Sequence, residues 1–346
     1  MNTKIAINGF GRIGRLLFRY LYGNSGFEVV AVNDLGDLEN LAYLLQYDTV
    51  YGRFEKEVAL DKKSRTGDWG VLNIGGKRVE VFQEKDPSKL PWKKLDIDIV
   101  VEATGAFESY EKAKVHLTAG AKRVVITAPA TDKDTKEGKT ILVGVNEQDL
   151  ATCQISSNGS CTTNAASSVI QVLSENPGIA KAVLNTAHGY TATQNLVDGP
   201  ARGSDPRRGR AAGQNIVPSS TGAAIAVTRA IPELEGKFDG IALRVPVVTG
   251  SVADITFVAK KKTSVKEVND ILTKAAVSPR WKGILKVTKD PIVSSDIIKE
   301  PYGAIVDLNF TRVVDGDLVK VLSWYDNEWG YVATLAKHIE AFAKTL

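Results

Sequence analysis

At 346 residues the chain is long enough for two domains and a large buried core. Its 44 basic and 40 acidic residues leave a net charge of +4, with no block of like charge that would form a nucleic-acid arm, so nucleic acid is not expected as a main partner. Two cysteines, Cys153 and Cys161, cannot build a disulfide framework, three scattered histidines give no zinc spacing, and no apolar run suits a signal peptide or a membrane span; the expectation is a cytoplasmic protein without metal.

The first 150 residues alternate between strand-like and helix-like patterns. Lys4 to Asn8 reads as a strand, Arg12 to Leu21 as a helix and Glu28 to Asn33 as a second strand. Val58 to Phe82, with glycine turns and alternating residues, reads as an antiparallel excursion. Asp98 to Glu102 is a buried strand, Ser109 to Ala119 a helix, and Arg123 to Thr127 and Ile141 to Val145 are strands. Such alternation predicts a parallel sheet with helical crossovers. After Cys161 the pattern changes. Ala180 to Thr186, Gly240 to Val248, Ser251 to Ala259, Ala304 to Asn309 and Leu318 to Trp324 read as longer strands, and Val265 to Ala276 and Trp329 to Lys344 as helices. The prediction is α/β overall: an N-terminal Rossmann dinucleotide-binding domain, then an α+β domain with a large mixed or antiparallel sheet. Between Tyr190 and Val217 lies a long segment rich in Gly, Pro and Arg, the kind of connection that is functional or mobile.

Gly9-Phe10-Gly11-Arg12-Ile13-Gly14 fits G-x-G-x-x-G between a predicted strand and a predicted helix. Glycines there let the backbone turn and approach a pyrophosphate at the helix N-terminus. Asp34, at the end of the second strand, stands where a carboxylate would accept the ribose hydroxyls and repel a 2′-phosphate, which favours NAD over NADP. Asp34 also suits a turn before Leu35-Gly36.

Cys161 lies in Ser157-Asn158-Gly159-Ser160-Cys161-Thr162-Thr163-Asn164, ahead of an apolar-periodic stretch. That reads as a helix start capped by Asn158 or Ser160. The positive end of the helix dipole would favour a thiolate, although a lone cysteine also suits a small core position. His116 and His338 lie within predicted helices and read as structural or exposed. His188 ends a strand and opens the run Gly189-Tyr190-Thr191, a place from which an imidazole could serve Cys161. Ser160 with Thr162, Thr221 with Gly222, and Arg207, Arg208, Arg210 and Arg244 are groups suited to phosphate oxygens.

With these motifs in this order, the chain resembles the phosphorylating, NAD-dependent glyceraldehyde-3-phosphate dehydrogenases of glycolysis. The similarity runs from Ile7-Asn8-Gly9-Phe10-Gly11-Arg12-Ile13-Gly14-Arg15 to Ser323-Trp324-Tyr325-Asp326-Asn327-Glu328-Trp329-Gly330-Tyr331. Between them stand Ser160 to Asn164, His188 to Gln194, Asp198-Gly199-Pro200, Ser220 to Ala224, Ile231 to Leu234 and Arg244-Val245-Pro246. The resemblance implies an NAD-binding domain over 1–160, completed by a C-terminal helix over 329–346, a catalytic domain over 161–328, and a homotetramer. It implies Cys161 as nucleophile and His188 as base, with Ser160, Thr162, Thr221, Gly222 and Arg208 around inorganic phosphate. Thr191 and Arg244 would hold the phosphate of glyceraldehyde 3-phosphate. Gly9, Gly11, Arg12, Ile13, Gly14, Asp34, Lys85, Thr127 and Asn327 would hold NAD, and Leu35 and Pro200 fit the NAD-preferring pattern.

The implied chemistry runs through a hemithioacetal and a thioester at Cys161 to 1,3-bisphosphoglycerate. Three places depart from common relatives: Lys85 where arginine is frequent, Gly189 where alanine or serine is frequent, and a slightly longer arginine-rich stretch, Ala201 to Arg210. Counting back from Thr221 selects Arg208 over Arg207 and Arg210. Two alternatives remain: an erythrose-4-phosphate dehydrogenase, which hydrolyses its thioester, and a non-catalytic scaffold binding NAD or RNA.

Overall fold

The computed structural model describes residues 2–61, 70–201 and 203–346. Part of the Val58 to Phe82 excursion, and Arg202 in the arginine-rich stretch, lie outside the described residues. The chain forms two compact units. One holds residues 1–141, 147–159 and 335–346; the other holds 142–146 and 160–334.

The first unit is built on a nine-stranded sheet. Its elements are β1 (Thr3–Asn8), α1 (Arg12–Leu21), β2 (Phe27–Asn33), α2 (Leu38–Gln46), β3 (Val58–Asp61), β4 (Gly70–Ile74), β5 (Lys77–Phe82), α3 (Trp92–Leu95), β6 (Ile99–Glu102), α4 (Tyr110–Thr118), β7 (Arg123–Ile126), β8 (Gly138–Thr140) and β9 (Ile155–Ser157). Spatial order is β3-β4-β5-β2-β1-β6-β7-β9-β8. From β5 onward neighbours are parallel, and β3, β4 and β5 form the antiparallel excursion. Ile5, Ala6 and Ile7 are fully buried, as befits a central strand with both faces covered. Strand order reverses at β1, so a crevice opens at its C-terminal end, where the glycine loop follows.

Two features of this unit differ from the expectation. Ile141 to Val145 is not a strand; the edge strand is β8, just before it. Gly144 turns at φ +80°, and the Leu142 N–H donates to the Asn146 side chain (2.8 Å), so a local turn uses the donors a ladder would need. Helix α2 lay outside the predicted series. Asp37 caps it by accepting from the Asn40 N–H (2.9 Å), and Leu41, Ala42 and Leu45 face inward.

In the second unit come α5 (Cys161–Glu175), β10 (Ile179–Gly189), β11 (Val217–Ser220), α6 (Ala223–Ala230), β12 (Phe238–Val245), β13 (Ser251–Ala259), α7 (Val265–Ala276), β14 (Leu285–Thr288), β15 (Ala304–Val314) and β16 (Leu318–Tyr325). The sheet order is β11-β12-β10-β13-β16-β15-β14. It is mixed: β10 with β12 and β14 with β15 are parallel, the other pairs antiparallel. Helices α5, α6 and α7 cover one face, with Val169, Ile170, Val227, Ile255, Val268 and Leu272 in one apolar core. Helix α8 (Trp329–Ala343) closes the chain.

The Tyr190 to Val217 segment is stitched to itself. The Asn195 N–H donates to Arg208 O (3.1 Å), and the Gly199 N–H to Gly209 O (2.9 Å). A Cβ on Gly209 would lie 2.2 Å from Gly199 O, so only glycine fits that crossing.

Candidate active site

Cys161 is the first residue of α5. Ser160 is the cap: its hydroxyl accepts the Thr163 N–H (3.1 Å), and Thr163 Oγ1 accepts the Ser160 N–H (3.1 Å) in return. The helix start is anchored again by Tyr325 at the end of β16. Its buried hydroxyl lies 2.8 Å from Thr162 Oγ1 and 2.8 Å from Thr186 Oγ1 of β10. The anchored helix start sets Cys161 Sγ 3.3 Å from His188 Nε2. The other cysteine, Cys153, is a buried thiol pushed up to about 11 by desolvation, which leaves it unreactive.

The helix dipole does not act on Cys161 alone. Burial, the largest influence, holds the thiol above its ordinary value, and the Arg244 charge and the N–H groups of the first turn offset part of that rise. His188 is not in a loop: β10 continues through Gly189, and His188 pairs with Arg244 in the parallel register of β10 and β12. Arg244 Nη1 stands 2.7 Å from His188 Nδ1, and Nδ1 lies 2.6 Å from Gly189 O. Burial first, and the Arg244 charge second, push His188 down to about 3.

His116 and His338 are buried in the first unit. His116 Nε2 lies 2.9 Å from Glu102, its Nδ1 accepts the Trp92 indole N–H (3.2 Å), and His338 Nε2 lies 2.7 Å from Ser156 Oγ. Burial pushes His338 down to about 3. His188 and His338 are therefore neutral when folded but bind protons below about pH 6.5 when unfolded. Their stabilisation is complete above that pH and is lost as pH falls toward 3. The slope is about 1.4 kcal/mol per pH unit for each histidine. Unfolding measured from pH 7 to pH 5 will show stability falling with pH; a flat or rising curve contradicts this.

The groups suited to phosphate oxygens gather in this unit. Arg208 donates to Thr193 Oγ1 (3.2 Å) and to Ser219 Oγ (2.9 Å), and its charge reaches Arg244. Thr193 Oγ1 lies 3.0 Å from Thr191 Oγ1. Arg207 and Arg210 differ: Arg207 pairs with Asp205 (2.9 Å) and Arg210 with Asp198 (2.9 Å), both on the surface. Thr221 Oγ1 accepts the Ala223 N–H (3.2 Å) ahead of Gly222, the N-cap of α6. The Thr162 hydroxyl faces Tyr325 and is buried, so this side chain braces the helix start.

The glycine loop of the first unit fits a dinucleotide. Gly9 turns at φ +97°, and a Cβ there would lie 2.5 Å from the Ala103 backbone; a Cβ on Gly14 would lie 2.1 Å from Gly9 O. Gly11 faces open space and leaves α1 with neither a side-chain cap nor an acidic first turn, so its N–H groups suit a pyrophosphate. The Phe10 and Gly36 N–H groups donate to the two oxygens of Asp34 (2.6 and 2.8 Å). Asp34 thus makes the turn and keeps lone pairs for ribose hydroxyls. The side chain of Arg12 pairs with Asp48 (2.6 Å), which leaves its backbone, with that of Ile13, for the loop. Lys85 is exposed just after Glu84, whose N–H donates to Asn33 Oδ1 (2.8 Å), and Thr127 bonds to Glu102 O (3.0 Å). In the second unit, Asn327 Oδ1 accepts from Thr249, Gly250 and Ser251 (3.2, 3.1 and 2.8 Å), which fixes the orientation of its amide.

Sequence reasoning missed Tyr325, Thr193 and Ser219 as parts of the site. The inward alternation of β16 carries Tyr325 to the core side, a signal visible only once the strand's end is known. Among the described residues, no group of three or more His, Cys, Asp or Glu could hold a metal, and no helix is long and apolar enough to cross a membrane.

Residues 3–110 match the family model for the glyceraldehyde 3-phosphate dehydrogenase NAD binding domain, and residues 160–327 match the model for the C-terminal domain. The chain is 47% identical to a glyceraldehyde-3-phosphate dehydrogenase of Clostridium pasteurianum, covering 99% of each chain. It is 47% identical to one of Mycolicibacterium smegmatis over the whole of both chains, and 46% identical to one of Streptomyces avermitilis over 96% of each.

Proposed function

The chain belongs to the glyceraldehyde-3-phosphate dehydrogenase family, an NAD-dependent oxidoreductase, and from that premise we propose its reaction: D-glyceraldehyde 3-phosphate, NAD and inorganic phosphate give 1,3-bisphosphoglycerate and NADH, with Cys161 and His188 as the reacting pair. The observation that carries the mechanism is the 3.3 Å contact between Cys161 Sγ and His188 Nε2 at an anchored helix start. The Cys161 sulfur attacks the aldehyde carbon and forms a hemithioacetal. His188 takes the hydroxyl proton at Nε2 as the carbonyl re-forms; NAD, which the glycine loop and Asp34 would hold, would supply the hydride acceptor. The Cys161 N–H and His188 hold the oxyanion. Inorganic phosphate then attacks the thioester carbonyl, and the thiolate leaves.

Two phosphates flank the reacting carbon, and two arginines serve them. Arg244, beside His188, takes the substrate phosphate with Thr191. Arg208 takes inorganic phosphate with Ser160, the backbone N–H of Thr162, Thr221 and Gly222, a choice supported by the carboxylates that neutralise Arg207 and Arg210. Gly9 to Gly14, Asp34, Lys85, Thr127 and Asn327 hold NAD.

Self-association into a homotetramer is supported by the sheet face of the second unit opposite its helices. Val183 is 60% exposed and Ile241 54%, and the same face carries the half-buried Leu243, with Leu322 and Trp324 farther across the sheet on β16. A cytoplasmic location accords with two free cysteines. The test is the dependence of NADH formation on inorganic phosphate: sustained turnover only with phosphate supports this reading, and phosphate-independent turnover supports the hydrolytic, erythrose-4-phosphate type.

A further inference from the structure

One atom, His188 Nδ1, faces two partners with opposite demands. Arg244 Nη1, at 2.7 Å, can only donate, so toward it Nδ1 must be bare. Gly189 O, at 2.6 Å, can only accept, so toward it Nδ1 must carry a proton. The two bonds exclude each other and define two tautomers. With Arg244 on Nδ1, the ring proton sits on Nε2 and points at Cys161. Nε2 then has no lone pair for a proton, and an imidazolium would set two donors against each other. With Nδ1–H on Gly189 O, Nε2 presents its lone pair to the sulfur and to any hydroxyl formed on it.

We propose that Arg244 is a positioning residue that selects the tautomer of His188. Without an anion it holds Nδ1 bare, and capture of the substrate's phosphomonoester draws the guanidinium away, so that Nδ1–H passes to Gly189 O and Nε2 becomes the base. The inference rests on the reading of Arg244 as the substrate-phosphate arm. A dianion can compete for the guanidinium because its oxygens match the fork geometry, whereas an imidazole nitrogen uses one donor of five. The neighbouring charge of Arg208 adds to the pull on the anion. The parallel register sets the coupling, since it places His188 beside Arg244 on adjoining strands. The proton count is unchanged by the switch: one proton leaves Nε2 and one arrives at Nδ1 through solvent. Reactivity at Cys161 is thereby linked to the presence of a phosphorylated substrate.

The chain has three histidines, so the switch is readable by 15N NMR of the histidine-labelled, NAD-loaded protein, with Arg244→Leu as companion. Glycerol 3-phosphate, which carries the phosphomonoester but no aldehyde, is the ligand. The expected result is an unprotonated Nδ1 on His188 before addition and a protonated Nδ1 at saturation. In Arg244→Leu, Nδ1 should be protonated without ligand. A proton on Nδ1 from the start, or a tautomer unmoved while the ligand binds through Arg244, overturns the switch and leaves the phosphate assignment standing. Equal affinity of Arg244→Leu and the parent protein removes the phosphate assignment and the switch with it. The titration of the parent protein decides the matter even if the variant does not fold.

Discussion

Cys161→Ser will lower NAD-dependent aldehyde oxidation by on the order of 10⁴-fold or more while leaving NAD affinity unchanged. The loss is large because a serine hydroxyl ionises far above the range that a helix N-terminus and a nearby arginine can bring down to neutral pH. It is also a poorer leaving group when phosphate attacks the acyl intermediate. The binding half of the expectation follows from the fold. Gly9, Gly11, Gly14 and Asp34 belong to the first compact unit, whereas Cys161 begins the first helix of the second. Ser160, the cap, is untouched, so α5 keeps its start. Steady-state rates and NAD titration check both halves. An active serine variant would remove Cys161 from the chemistry.

His188→Asn is expected to cost about 10³-fold in kcat with little change in KM. Asparagine keeps a polar group against Gly189 O and Arg244 but supplies no base at the 3.3 Å contact with sulfur. Removal of the hydride and of the hydroxyl proton are then no longer concerted with a positioned base. A primary isotope effect with deuterated aldehyde should therefore appear in the variant. A uniform rise in KM with kcat intact would instead mean that His188 only binds substrate.

Much of this was legible in the chain itself. The alternation over the first 150 residues carried the parallel sheet, because buried strands and crossover helices differ in period. The glycine loop and Asp34 were legible for the same reason: their spacing is tied to one βαβ unit. Three things were not. The edge strand β8 was misplaced into Ile141 to Val145, since an apolar run says nothing of a turn made by Gly144 and the Asn146 side chain. The partnership of His188 with Arg244 depends on the register of two strands 56 residues apart. The distinction of Arg208 from Arg207 and Arg210 depends on which carboxylates fold beside them, Asp205 and Asp198. The last two belong to tertiary pairing, which local pattern does not encode.

The most direct test of a thioester at Cys161 is NADH formation from glyceraldehyde 3-phosphate and NAD as phosphate is withheld and then added. Without phosphate, the expected trace is a burst of one NADH per Cys161 followed by near arrest, with the acyl group on Cys161 visible by mass. Added phosphate should restore steady turnover. Sustained NADH formation without phosphate, or no burst and no acyl adduct, would contradict the account.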